Sequence, residues 1–195
     1  TSFEQFKDIY LNLGIEASYD DLRTQNSASS SLKKQSGEFS EIAGIYGFRS
    51  DNRNRAFMPT SGYITNFEQK FPIYADKQAL TNTFSVSNYK QLGENMIGAS
   101  KIFASSINGF GGDDVRLNER RGLSSNRLRG FERGKIGALD GSDHVGGNYA
   151  AALNFEANFP NLLPDSTRTE IGTFLDFGNV WGVDYDDTIN ESNEI

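Results

Sequence analysis

Between positions 116 and 135 the chain sets six arginines and a lysine (Arg116, Arg120, Arg121, Arg127, Arg129, Arg133 and Lys135) against only Glu119 and Glu132. Further on, Glu156 and Asp176 stand among apolar residues. A guanidinium is a planar donor fork that matches a carboxylate bidentately, so the chemistry within reach of these side chains is gripping rather than bond-making. Other reactive groups are scarce. With no cysteine there is no disulfide, thiolate nucleophile or thiolate metal site, and the single His144 has no second imidazole to work with. No catalytic residue, metal site or cofactor is therefore expected. Ser30 and Lys33 form a Ser-x-x-Lys, but in a serine-rich tract (Ala28-Ser29-Ser30-Ser31) with no partner motif or helix, where chance is sufficient. The run Gly109-Phe110-Gly111-Gly112 lacks the Lys-Ser/Thr and the helix of a phosphate loop and reads as the start of a long connection. Asp184, Asp186 and Asp187 lack the glycine and terminal glutamate of a calcium loop and read as a solvated tip. His144 reads as a polar turn residue, and Trp181 with Tyr185 as part of an interfacial aromatic girdle.

The elements that must position these groups are strands. Ile9, Leu11, Leu13, Ile15, Ala17 and Tyr19 share one parity, and Tyr149, Ala151, Leu153, Phe155, Ala157 and Phe159 repeat the pattern against Asn154, Glu156 and Asn158. Ile171, Thr173, Leu175, Phe177 and Trp181 alternate with Gly172, Asp176 and Gly178, so Glu156 and Asp176 both lie on polar faces. Weaker alternation marks residues 39–49, 63–73, 79–89 and 96–107. The count is about seven antiparallel strands of about 9 to 13 residues, longer than is usual in a soluble sandwich and suited to a tilted crossing of a bilayer. The polar face suits a wet or plugged lumen and the apolar face suits lipid. The odd-numbered connections, of roughly 18, 6 and 41 residues, are expected outside the cell, because outer-membrane barrels keep their short turns periplasmic. A closed barrel needs an even number of strands, at least 8, so the chain reads as an incomplete set lacking staves on both sides.

Composition narrows the class further. The chain has 195 residues, 36% of them apolar, and a formal net charge of −7. It contains no run of about 18 apolar residues, which excludes a helical span. The acidic balance argues against a nucleic-acid binder. Residues 1–10 have neither a basic nor an apolar signal region, so the chain is expected to be either cytosolic or a piece of a longer precursor.

Several motifs in order resemble those of the BamA-type outer-membrane assembly family, also called the bacterial surface antigen family. They are Asp51-Asn52-Arg53 with Pro59-Thr60-Ser61-Gly62, then Leu128-Arg129-Gly130-Phe131, then Gly172-Thr173-Phe174-Leu175-Asp176-Phe177-Gly178. The resemblance covers nearly the whole chain. It implies one partial outer-membrane β-barrel domain over residues 1–195, taken from the middle and later strands of a sixteen-stranded barrel, with a long extracellular loop at about 108–147 folding into the lumen. The family's aromatic C-terminal strand, its POTRA repeats and its first barrel strands are missing, and Leu128 stands where the family has valine. The implied function is insertion of β-barrel proteins into the bacterial outer membrane without covalent chemistry. Its partners would be outer-membrane lipid, unfolded β-barrel clients and accessory lipoproteins of the assembly complex, with no nucleic acid. A two-partner-type secretion transporter of the same superfamily is the alternative, followed by a passive porin and, from another class, a soluble sandwich adhesin.

A loop of such length needs anchorage, since ordering it costs about 1 to 2 kcal/mol per residue. The expected anchor is Arg129 bridging Glu156 and Asp176, with Gly130 turning the backbone and Phe131 packing on the inner wall; Gly178 closes the strand motif. The plainer alternative leaves Arg129 as one solvated arginine among many.

Overall fold

A computed structural model describes residues 2–6, 8–160, 162–163, 171–185 and 189. Its main feature is one antiparallel sheet of eight strands. These are β1 (Ser2–Phe6), β2 (Ile9–Leu22), β3 (Gly37–Asp51), β4 (Gly62–Ala75), β5 (Ala79–Gly93), β6 (Met96–Gly109), β9 (Tyr149–Phe159) and β10 (Ile171–Trp181). Their order in the sheet follows the chain, with β1 and β10 at the edges. Two further strands, β7 (Ala138–Asp140) and β8 (Asp143–Gly146), form a small hairpin inside the connection from β6 to β9.

The seven strands expected from alternation are all present, but the count is one short. β1 has only five residues, too few to display a period; it is recognisable by its pairing with β2, Phe3 opposite Leu11, across a turn where Asp8 takes φ +62°. The strands are also longer than expected, β2 to β6 running 14 or 15 residues, because pairing continues through polar residues at the strand ends that no alternation marks. The long connection occupies residues 110–148.

Register decides which side chains share a face. One row crosses the sheet through Asn12, Gly47, Glu68, Thr83, Ser105, Ala150 and Val180. Its neighbours on the same face include Glu41, Lys70, Lys101, Glu156 and Asp176, and the long loop lies against this inner face. The opposite face carries exposed apolar side chains such as Ile15, Phe48, Ile102, Phe155, Leu175 and Phe177. That face is not uniformly apolar. The Tyr46 hydroxyl donates to Gln69 (2.7 Å), the Gln69 amide to Asn82 (2.5 Å) and the Asn82 amide to Ser106 (3.4 Å), so polar groups on the outer face satisfy one another. An unpaired amide there would carry the desolvation penalty of a buried polar group.

Apolar packing sits where the loop meets the sheet. Leu123 and Leu128 pack with Phe103, Ala150, Ala152 and Val180. A second cluster joins Leu32 to Ala138 and Val145. The serine-rich tract, where no helix was expected, opens a one-turn helix α1 (Ser30–Lys33) docked on the hairpin: Ser29 Oγ accepts from the Leu32 amide (3.1 Å) and donates to Asp140 (2.6 Å). Lys33 donates to the Asn26 carbonyl at 2.7 Å, an ordinary surface contact.

Candidate functional site

β9 and β10 pair without interruption, with Asn154 opposite Asp176 and Glu156 opposite Phe174. Period-2 geometry therefore puts Glu156 and Asp176 diagonally adjacent on the inner face. Above them the loop makes a tight turn, the Arg127 and Leu128 amides both donating to the Ser124 carbonyl (2.9 and 3.3 Å). Gly130 at φ +87° then redirects the chain in a conformation that a side chain rarely adopts.

This turn aims Arg129 at both acids. Its Nε and Nη2 donate to Asp176 at 2.7 and 2.6 Å, its Nη1 lies 2.9 Å from Glu156, and its backbone N–H also donates to Asp176 (3.0 Å). All three guanidinium nitrogens face carboxylates. The guanidinium carbon also lies 3.9 Å from the centroid of the Phe174 ring. Hydrogen bonding by Asp176, with Glu156 in support, outweighs burial and raises the Arg129 pKa further above its ordinary value, so the grip stays charged.

Glu156, Asp176, Gly130 and Gly178 thus join Arg129 in one site. A Cβ on Gly178 would stand 2.7 Å from Leu123 Cδ1 and 3.5 Å from Leu128 Cδ1, so the bare backbone is what lets the loop's leucines reach the wall. Burying each leucine stabilises this contact by about 1.5–3 kcal/mol. Phe131 is the exception. Its ring is 43% exposed, and the aromatic ring at the clamp is Phe174, supplied by the wall. After the left-handed turn at Gly130 the chain has left the wall, which removes Phe131 from the packed surface.

Three supporting residues carry no motif. Asn154, buried at 3% exposure, donates to Asp176 (2.8 Å) and to the Arg127 carbonyl (2.7 Å), tying strand, acid and loop backbone together. Lys101 of β6 lies 2.7 Å from Glu156. Arg127 sets its guanidinium 3.5 Å from the Phe103 ring centroid. Asn154 and Lys101 lie on the inner faces of their own strands, a signal that strand alternation contains but does not rank.

Asp184 is not a solvated tip: it accepts from Arg120 (2.5 Å), the Asn148 amide (2.9 Å) and the Val115 backbone (3.0 Å). Burial pushes its carboxyl up, but these three donors more than offset that and hold its pKa below the ordinary carboxylate value. Asp186 and Asp187 lie outside the described residues. Tyr185 does not join a girdle with Trp181; it packs under Arg120 (4.7 Å) and donates to Asp140 (3.0 Å), while Trp181 stacks on Tyr149 (5.8 Å). His144 lies in strand β8 of the hairpin, just beyond its turn. The Asp51–Arg53 motif closes on itself through two bonds of 2.7 Å.

The comparisons with known proteins agree with this architecture. The Omp85 superfamily domain matches residues 2–195. The outer membrane protein assembly factor BamA of Neorickettsia risticii (strain Illinois) is 28% identical over 188 residues, covering 94% of this chain and 25% of that protein. The crystal structure of BamA from Haemophilus ducreyi lacking POTRA domains 1–3 superposes with a TM-score of 0.80 at 22% identity, over 93% of this chain and 40% of that one. The chain therefore spans well under half the length of either relative. Its sheet is part of an outer-membrane β-barrel, and the chain belongs to the Omp85 superfamily.

Proposed function

We propose that this chain is the wall and the loop clamp of an outer-membrane insertase, which folds and inserts other β-barrel proteins without making or breaking covalent bonds. The observation that carries this reading is the Arg129 grip on two adjacent strands, in a chain whose curated relative is an assembly factor. In the longer protein, an insertase works by offering a weakly paired strand edge to an incoming strand, since unpaired backbone groups template new pairing. The wall opposite such an edge must keep its shape while the edge opens. Arg129, Glu156, Asp176 and the glycines serve that end by fixing the loop in the lumen, with the long connections on the extracellular side. Clients would be unfolded β-barrel chains, and the surroundings outer-membrane lipid and accessory lipoproteins. Export of a single partner through the lumen is the other activity of this superfamily, and one experiment separates the two. The full-length protein is reconstituted in vesicles and offered an unfolded β-barrel client. Client insertion that falls in the Arg129→Ala variant supports the insertase reading, and absence of insertion by wild type together with release of a soluble partner refutes it.

A further inference from the structure

The loop has a second grip, on a different wall. Arg116 reaches Asp20 of β2 (3.2 Å) and Glu41 of β3 (3.7 Å), and its guanidinium lies 5.3 Å from the Phe39 ring centroid. Glu41 is itself held by Lys70 of β4 (2.8 Å), which also reaches Glu16 of β2 (2.7 Å). Within the loop, Glu119 fixes the Arg116 fork from both sides, at 3.0 Å to Nε and 2.9 Å to Nη2, through the short 3-10 turn Leu117–Glu119. The side chain of Arg116 is only 5% exposed, against 28% for Arg129. A guanidinium that deep is retained only where its partners are in place.

In the sheet, β2 and β3 are separated from β9 and β10 by β4, β5 and β6. We propose that Arg116 is a second positioning residue and that residues 116–129 form a transverse tie, joining the β2–β3 wall to the β9–β10 wall across the lumen. Arg129 by itself ties residues 124–130 to the β9–β10 wall only. Anchored twice, the loop transmits displacement between the two walls. The tie depends on the chain's own acids and bases and holds whether the longer protein inserts or exports its clients.

The test uses double spin labels in the full-length, detergent-purified protein. These 195 residues contain no cysteine, so once any cysteine elsewhere in the full-length protein is replaced by serine, labels at exposed positions of this region enter without background. One pair, Asn118→Cys with Asp21→Cys, reads the β2 end of the tie; a second, Ser125→Cys with Thr173→Cys, reads the β10 end. Arg116→Gln is expected to abolish the single sharp distance at the first pair and leave the second unchanged, and Arg129→Gln to do the reverse. Arg116→Lys, which keeps the charge but not the fork, should restore part of the first distance. A sharp first pair in Arg116→Gln, or simultaneous loss at both pairs in a barrel that still shows folded, heat-modifiable gel mobility, overturns the tie. Should Arg116→Gln fail to assemble, the first pair in the otherwise wild-type protein decides: one narrow distance supports the proposal and a broad distribution removes it.

Discussion

The two grips on the loop are built differently. At Arg129 both acids come from the wall, on neighbouring strands, and the arginine arrives from the loop with a glycine behind it and leucines beside it. At Arg116 one of the acids, Glu119, belongs to the loop, and the wall acid Glu41 is shared with Lys70. The first is a junction between two bodies, lost if either side is truncated. The second is a network with spare charge, in which Lys70 still neutralises Glu41 when Arg116 is gone. Deep burial and indispensability therefore need not coincide: the more exposed arginine has the less replaceable partners.

That difference sets a ranking. Asp176→Ala should have the largest effect, about 3–5 kcal/mol, because it strips the partly buried Arg129 of its bidentate partner and takes from Asn154 one of its two acceptors. Urea titration followed by heat-modifiable gel mobility measures it, and a loss under about 1 kcal/mol would contradict the junction description. Arg116→Gln should destabilise by about 1.5–3 kcal/mol in the same assay, the worth of hydrogen bonds to charged groups. If it equals or exceeds Asp176→Ala, the contrast between junction and network fails. Gly178→Ala should lie near 1–3 kcal/mol, since the new methyl must displace Leu123. Its signature is faster protease cleavage within residues 110–148 while the strands remain protected. Lys101→Met should be the smallest, about 0–1 kcal/mol, because Lys101 is one-third exposed and Glu156 keeps Arg129.

A pH series sharpens the comparison from a third point, Asp184. Its carboxyl pKa is depressed in the folded protein, so its contribution is present above the ordinary carboxylate range and is lost as pH falls through the folded value. At neutral pH the wild type should resist urea better than Asp184→Asn, and the gap should close as pH drops below about 4. A gap that widens on acidification would show that the Arg120–Asp184 contact does not act through the charged carboxylate.

Much of this architecture was legible in the residues. Long alternating runs such as 149–159 announce strands, and parity alone puts Glu156 and Asp176 on one side. The Arg129 pairing was reachable because a motif singled that arginine out from its neighbours. Phe131 and Tyr185 misled for a common reason: an aromatic residue is placed by the turn that carries it, and alternation is silent about turns. Arg116 had no motif, and its wall partners Asp20 and Glu41 lie close to strand ends, where the apolar period fades before the pairing does.

By itself the sequence determined what is periodic: strands, their two faces, the signs of charge on each face, and the glycines where a side chain would not fit. Tertiary structure decided which strand lies beside which in what register, how the loop turns, and hence which of six nearby arginines meets which acid. The reason is physical. Facing direction along a strand is set by local backbone geometry, whereas an ion pair between residues 116 and 41 forms only after three intervening strands and a folded loop have brought two distant segments within about 4 Å.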